Sequence, residues 1–462
     1  MTASKSYFFC GVGGSGMLPL ATILADQGHK VAGSDRSMDQ GRHGTKFDWL
    51  EQRGMTLFPQ DGSGVTSPDQ ILVASAAVEN TVPDVRRAEE LGCARMTRAE
   101  LLSSLFNAAP QSIAIGGTSG KSTVTGMIGW IAHDLGLDPT VMNGAVMKNF
   151  ADADAPFASA LVGKWDLFVS EVDESDRSIS LFTSTVAVIN NISHDHRPMA
   201  ELRELFADFA QAAKVAVYNA DDAETATLLD PLALPGAIRF GTSADADFRA
   251  SDIVEEPLSV RFTLTAPDGR HDVTLRVPGK HNVANALAAI AAVHAVGVPV
   301  ADIVRSIAGY AGIKRRFEVV GTRNDITLID DFGHNPDKIA ATLKTLKAFP
   351  GRLLLFFQPH GYGPLRVMGA ELTGMFKSLL GDEDVLVFSD PCYFGGTVDR
   401  SVGSEAVIDP LKAAGFNAEL IPTREACGDR LVELARPGDR IVIMGARDDS
   451  LPLFAADVLS RL

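Results

Sequence analysis

Residues 112–125 read SIAIGGTSGKSTVT, and the fold is decided there. Ile113, Ala114 and Ile115 form a short apolar run of the kind a buried strand needs. Gly116, Gly117, Thr118, Ser119 and Gly120 follow as a loop, then Lys121, Ser122 and Thr123, then Met127, Ile128 and Ile131 at helical spacing. A strand that passes through a glycine loop into a helix headed by Lys-Ser is a phosphate cradle. Backbone N–H groups converge on the anion, and the helix N-terminus adds its partial positive charge. Lys121 is placed to meet the outer phosphates of ATP and Ser122 to ligate Mg²⁺. The match to G-x-x-x-x-G-K-[ST] is not strict. Counting back from Gly120, the first glycine falls where Ile115 stands, so the loop is one residue tighter and begins at Gly116. A glycine-rich surface turn is the plainer alternative, and the Lys-Ser-Thr at a strand-to-helix switch argues against it.

Upstream, residues 7–10 read as a first strand and Gly11-Val12-Gly13-Gly14-Ser15-Gly16 fits G-x-G-x-x-G. A helix over 17–27, a second strand over 30–32 and Asp35 complete a βαβ start with an acidic residue about 20 positions on, the fingerprint of a nucleotide site. The polar, glycine-bearing stretch 39–46 reads as a mobile loop, and 71–75 (ILVAS) as another buried strand. Downstream, a strand over 166–169 ends in Glu171, Asp173, Glu174 and Asp176, carboxylates that are costly to crowd together without a cation. A strand over 186–190 ends in Asn190-Asn191-Ile192-Ser193-His194-Asp195-His196. Open α/β sheets collect ligands at such strand C-termini. Alternation over 253–264 and 273–277 predicts antiparallel strands with a hairpin at Pro267-Asp268-Gly269. Further strands end in Asp330-Asp331-Phe332, Pro359-His360, Asp390-Pro391 and Gly445-Ala446-Arg447.

The expected architecture is α/β in three domains, over 1–108, over 109–314 with the P-loop and a parallel sheet plus a small antiparallel one, and over 315–462. The chain has 462 residues, 46% of them hydrophobic and 22% charged, in the ordinary range for a globular protein. Its net charge of −16 argues against nucleic acid and anionic membranes as partners. The four cysteines, Cys10, Cys93, Cys392 and Cys427, lack metal spacing and point to free thiols in a reducing compartment. No apolar run approaches the roughly 20 residues needed to span a bilayer, and the start of the chain does not read as a signal peptide. A cytoplasmic monomer or homodimer is expected.

Nine motifs in order carry a resemblance: GVGGSGM (11–17), GSD (33–35), GTSGKST (117–123), EVDESD (171–176), NNISHDH (190–196), GKHNVANALAA (279–289), KRRFE (314–318), DDFGHNP (330–336) and FQPHGY (357–362). Together they resemble the Mur ligases of peptidoglycan synthesis, above all the branch that adds L-alanine to UDP-N-acetylmuramate, with the murein tripeptide recycling ligases next. The resemblance implies a Rossmann-like UDP-binding domain first, a central P-loop ATPase domain and a C-terminal Rossmann-like domain, and an ADP-forming ligase: ATP phosphorylates the substrate carboxylate, and an amino group attacks the resulting acyl phosphate. It implies that Gly117, Thr118, Ser119, Gly120, Lys121, Ser122 and Thr123 cradle ATP. Ser122 and Glu171 would hold one Mg²⁺, and His196 would help hold a second. His281, Asn282 and Asn285 would contact adenine and the catalytic site, while Arg316 and Asp331 would reach ATP from the third domain. That placement implies domain closure before chemistry. Lys121, Glu171, His196 and Arg316 form the implied catalytic set. Gly13, Gly14, Ser15, Gly16, Met17, Asp35 and Ser75 would receive the UDP part, with His334 and His360 among the substrate contacts. No lysine lies between His196 and Lys214, so the carbamylated lysine of some family members is absent, as it is in the L-alanine branch.

Departures concentrate on the acceptor side. The branch usually reads G-T-H-G-K-T-T where this chain has Ser119 and Ser122, and D-D-Y-G-H-H-P where it has Phe332 and Asn335. The stretch F-Q-P-H-R-Y-T-R-T has become FQPHGYGPLR, so Gly361 replaces an arginine and Arg366 lies only near the second. A bidentate arginine–carboxylate pair is not replaced by glycine. Two function classes therefore compete within ligase chemistry, an L-alanine ligase with a rewired pocket and a Mur-type ligase with a changed acceptor, such as a recycled peptide or another amine. An NAD-dependent oxidoreductase, read from Gly11, Gly13, Gly16 and Asp35 alone, and a non-catalytic homologue are the remaining alternatives.

Overall fold

The computed structural model describes residues 4–41, 44–76, 78–164, 166–193, 197–392, 399–448 and 450–462. A five-stranded sheet comes first: Ser6–Cys10 (β1), Lys30–Ser34 (β2), Thr56–Phe58 (β3), Gln70–Ala74 (β4) and Arg95–Thr97 (β5), in the order β3-β2-β1-β4-β5. Its pairings are all parallel. Tyr7, Phe8, Phe9 and Cys10 in β1 and Leu72, Val73 and Ala74 in β4 are buried, so both faces of the sheet are covered.

A ten-stranded sheet follows. Its strands are Gln111–Gly116 (β6), Thr140–Met142 (β7), Ala160–Leu161 (β8), Leu167–Glu171 (β9), Val186–Ile189 (β10), Val215–Asn219 (β11), Ile238–Gly241 (β12), Phe248–Glu256 (β13), Ser259–Ala266 (β14) and Gly269–Leu275 (β15). Their order is β15-β14-β13-β12-β11-β10-β6-β9-β7-β8. β6 lies between β10 and β9 in parallel register, with Ile115 opposite Glu171 and Gly116 opposite Ile189. The ends of these three strands therefore open side by side, where the strand order switches direction. The expected alternation over 253–264 is real but not one strand. Pro257 brings no N–H to a ladder, and the chain turns at 257–258 between β13 and β14. The hairpin at 267–268 lies as expected between β14 and β15, and these strands extend the parallel sheet at its edge instead of standing apart.

The third sheet holds Glu318–Arg323 (β16), Ile326–Asp331 (β17), Leu353–Gln358 (β18), Val385–Phe388 (β19), Ala418–Leu420 (β20) and Arg440–Gly445 (β21), in the order β16-β17-β21-β18-β19-β20. Only β16 runs antiparallel to its neighbour. The apolar run LLLFF of β18 explains its central place. Leu353, Leu355 and Phe357 join one core cluster, and Leu354 and Phe356 join another, one on each face of the sheet.

The chain forms two compact units, one of Met1–Val254, Arg261–Arg276 and Asn282–Gly312, the other of Glu255–Val260, Val277–His281 and Ile313–Leu462. Within the first, helix Arg98–Asn107 bridges the first two sheets. Its Phe106 meets Phe168 of β9 edge-on at 5.5 Å and Phe182 at 5.3 Å. All four cysteines are free thiols. Among the described residues no helix is long and apolar enough to cross a membrane.

Candidate active site

The loop after β6 turns into helix Lys121–Asp134 through Gly120, whose φ of +88° suits glycine alone. A Cβ there would come within 2.4 Å of Asn190 Nδ2 and 2.5 Å of Asn285 Oδ1. These two amides brace the loop. Asn190 Nδ2 donates to the Ser119 carbonyl and to Asn285 Oδ1, both at 3.0 Å, and Asn285 Nδ2 donates to Asn282 Oδ1 at 2.9 Å. Asn191 adds a second brace, accepting from Ser119 N–H at 2.8 Å and donating to its carbonyl at 2.9 Å. Thr118 is tied to the same segment, its N–H donating to the Asn191 carbonyl and its hydroxyl to that of Ser193. These contacts tie Thr118 and Ser119 to the segment after β10.

Lys121 Nζ donates to the Gly117 carbonyl at 2.6 Å and to both oxygens of Glu174 at 3.0 and 2.9 Å. Glu174 is only 6% exposed. Burial pushes its carboxyl up, and the Lys121 ammonium pulls it back toward the ionised form. A phosphate entering the cradle therefore competes with Glu174 for the ammonium. Thr123 opens the helix beside them.

Ser122 Oγ donates to Glu171 Oε2 at 2.8 Å. The Ser122 carbonyl accepts from Asn143 Nδ2 at 2.9 Å. A side chain at Gly144 would put its Cβ 2.0 Å from Glu171 Oε1, so the absence of one leaves the carboxylate its room. A hydroxyl beside a carboxylate fits Mg²⁺, a hard cation that keeps most of its shell as water and phosphate oxygens. No cluster of three acidic, histidine or cysteine ligands occurs among the described residues. His196, the expected partner in a second metal site, lies outside the described residues, as do His194 and Asp195.

At the end of β1, Asp35 accepts from Gly13 N–H at 2.9 Å through one oxygen. Its other oxygen caps helix Arg36–Asp39 through Ser37 N–H at 2.9 Å. Lys46 Nζ donates to the Gly13 carbonyl at 2.9 Å. The stretch 39–46 is accordingly not one free loop. Asp39 ends one helix, and Lys46 lies in helix Thr45–Gln52, tethered to the glycine turn; Arg42 and His43 lie outside the described residues. Gly14, Ser15 and Gly16 complete the turn and Met17 opens helix Met17–Asp26, while Ser75 follows β4, the parallel neighbour of β1.

In the second unit the turn before β16 is pinned on both sides of Arg316. Arg315, at φ +60°, pairs with Asp330 at 3.2 Å and donates to the Gly445 carbonyl at 2.8 Å. Phe317, at φ +47°, gives its N–H to Asp331 Oδ2 at 2.7 Å, and Asp331 Oδ1 accepts from Gly333 N–H at 2.8 Å. Asp331 thus spends its carboxylate on backbone. Arg316, between the two clamps, lies over the Phe332 ring at 4.9 Å. Burial raises Asp330 to about 6, against the pull of Arg315. His281 opens helix His281–Ala295 in a buried setting that lowers its pKa.

His334 and His360, far apart in sequence, meet at 5.2 Å between ring centroids. Burial first, then the Lys338 charge, brings His334 down to about 4, and burial followed by Arg447 does the same to His360. Both rings are neutral at pH 7. An unfolded histidine titrates near ~6.5, so between about 6.5 and about 4 the unfolded chain takes up protons that the folded rings refuse. Stability is full above the upper value and falls on acidification toward the lower one. Thermal melts across this window should show that slope, and His360→Asn should make it shallower. An unchanged slope in the variant would mean that His360 is not held neutral. Arg366 pairs with the exposed Asp399 at 2.7 Å.

Sequence reasoning gave Glu171 a role and gave none to Glu174, Asn190, Asn191 or Asn143. The signal for Asn190 and Asn191 was their place at the strand end. Nothing in the spacing distinguished which acidic residue would take the lysine.

A parallel sheet with a glycine loop, lysine and serine at its switch point defines a phosphate-handling α/β protein. Comparison with known proteins narrows the class. Three family models match: the Mur ligase family catalytic domain over residues 6–109, the Mur ligase middle domain over 115–293 and the Mur ligase glutamate ligase domain over 315–447. The chain belongs to the Mur ligase family. It is 35% identical to a UDP-N-acetylmuramate–L-alanine ligase of Acidithiobacillus ferrooxidans, with 89% of this chain and 88% of that protein covered. It is 32% identical to one from Streptomyces coelicolor, with coverage of 97% and 96%. The crystal structure of UDP-N-acetylmuramate-alanine ligase from Thermotoga maritima shares the fold at a TM-score of 0.79 and 22% identity, covering 99% of this chain and 98% of that one. Family membership removes the oxidoreductase alternative.

Proposed function

We propose that the chain is an ATP- and Mg²⁺-dependent, ADP-forming ligase that joins L-alanine to UDP-N-acetylmuramate in the cytoplasm. The observation that carries the ligase half is the pairing of Lys121 with a glycine cradle and of Ser122 with Glu171. The substrate half is supported by near-full-length relatives that bear that name. A changed acceptor is not favoured, because relatives matched along almost the entire chain are L-alanine ligases by name.

ATP bound at the cradle would give its γ-phosphoryl group to the muramate carboxylate, forming an acyl phosphate and releasing ADP, and Mg²⁺ would neutralise the phosphate charge. The chain's own residues position and neutralise. Lys121 leaves Glu174 to meet the outer phosphates, and Ser122 and Glu171 hold the metal. Asn190, Asn191 and Asn285 keep the loop from shifting as charge moves. The glycine turn at residues 13–16, shaped by Asp35 and Lys46, receives the UDP part, with Met17 and Ser75 beside it. Asp330 and Asp331 act as positioning residues that fix the turn carrying Arg316, the residue that would contact the nucleotide. His281 and Asn282 line the catalytic site, and His334 and His360, neutral at working pH, face the acceptor.

The mechanism is tested with UDP-N-acetylmuramate labelled with oxygen-18 in its carboxylate. One labelled oxygen should appear in the phosphate released during turnover. Release of unlabelled phosphate alongside amide product would rule out the acyl phosphate.

A further inference from the structure

An amino acid acceptor brings a carboxylate that plays no part in bond formation, and something must hold it so that the amine points at the reacting carbon. Arginine is the side chain suited to the task. Most arginines around the C-terminal ends of the third sheet are already engaged. Arg315 is bound to Asp330 and the Gly445 carbonyl. Arg424 donates to Asp448 and Ser450, at 3.0 and 2.7 Å. Arg366 is bound to Asp399. Arg316 and Arg400 lie over the rings of Phe332 and Tyr362.

Arg447 differs. It is exposed and has no hydrogen bond or ion pair among the described residues. Its backbone sits at φ +59°, a conformation that costs an arginine about 1 kcal/mol or more and a glycine little. Its place in the sheet is fixed by register: Gln358 of β18 lies opposite Gly445 of β21, and His360 and Arg447 each stand two residues beyond that pair. The Arg447 charge is felt at His360, whose ring meets His334. Gly361, next along, holds φ +146° and cannot take an arginine without strain.

We infer that Arg447 is the specificity-determining residue that binds the acceptor's α-carboxylate, held at a strained turn beside the His334–His360 pair. Carboxylate recognition has been moved across the sheet from the loop after β18 to the loop after β21. The inference rests on the ligase reading above. It explains how the chain can lack an arginine at position 361 and still take a free amino acid.

The test is steady-state kinetics of Arg447→Gly, Arg447→Met and Arg447→Lys with L-alanine and with L-alaninamide, which has no carboxylate. In the Gly and Met variants the KM for L-alanine should rise about 30-fold or more, while the KM values for ATP and UDP-N-acetylmuramate stay put. The Lys variant should recover part of the loss. L-Alaninamide should not distinguish any variant from the parent. Arg447→Gly should melt no lower than the parent, since it relieves the turn, so a failure to fold cannot stand in for the result. A KM for L-alanine within about 3-fold of the parent in both the Gly and Met variants would overturn the assignment, as would equal losses with the amide. If the unaltered protein turns over no amino acid while binding ATP, it is the ligase reading that has failed.

Discussion

Replacing Lys121 with alanine should abolish turnover and leave the fold in place. The loss in kcat/KM should be about 10³-fold or more, because the lysine is the cation aimed at the phosphates from inside the cradle. Its Nζ is held at the loop, 2.6 Å from the Gly117 carbonyl and 2.9 Å from Glu174. The alanine variant has a second consequence. Glu174, nearly buried, loses its counter-ion, and a buried carboxylate without a partner is costly. The single variant should therefore melt lower than the parent. Lys121→Ala combined with Glu174→Gln should recover most of the melting temperature and none of the activity. Circular dichroism, melting and ADP release on the same samples separate the two effects. Near-normal ADP release from Lys121→Ala would contradict the cradle assignment.

Glu171→Gln is the second large effect. The substitution keeps the shape of the side chain and can keep a hydrogen bond to Ser122, but it removes the charge proposed to hold the metal. Turnover at fixed Mg²⁺ should fall roughly 10²-fold, since several kcal/mol of charge stabilisation are at stake. The Mg²⁺ concentration for half-maximal rate should rise, and excess Mg²⁺ should restore part of the rate. The fold should be indifferent, because Glu171 ends its strand only partly buried and the register of β9 with β6 is made by backbone. A Mg²⁺ titration that superimposes on the parent's would remove Glu171 from the metal site.

The phosphate loop was legible in the sequence because local physics dictates it: an apolar strand, glycines that allow a left-handed turn, and a helix start. The parallel sheets were legible for the same reason, since runs such as ILVA in β4 and LLLFF in β18 suit strands covered on both faces. Side-chain commitments were harder to read. Four carboxylates crowd residues 171–176, and only the packed structure shows that Glu171 takes the serine and Glu174 the lysine. The stretch 39–46 looked loose by composition, yet Lys46 is tied to the glycine turn by a contact 33 residues away in sequence. Asp331 entered through the resemblance as a nucleotide contact, and nothing in the sequence marked its other role, accepting from the N–H groups of Phe317 and Gly333. Arg447 was marked only by its place at a strand end, since a left-handed backbone at an arginine leaves no mark in composition or periodicity.

The central claim is that this chain couples ATP to amide formation on UDP-N-acetylmuramate. The measurement that tests it most directly is phosphate release with ATP and Mg²⁺ across all twenty amino acids, each with and without the sugar nucleotide. The account predicts release that depends on the sugar nucleotide and is fastest with L-alanine. Binding of ATP with no sugar-dependent release for any amino acid would contradict it.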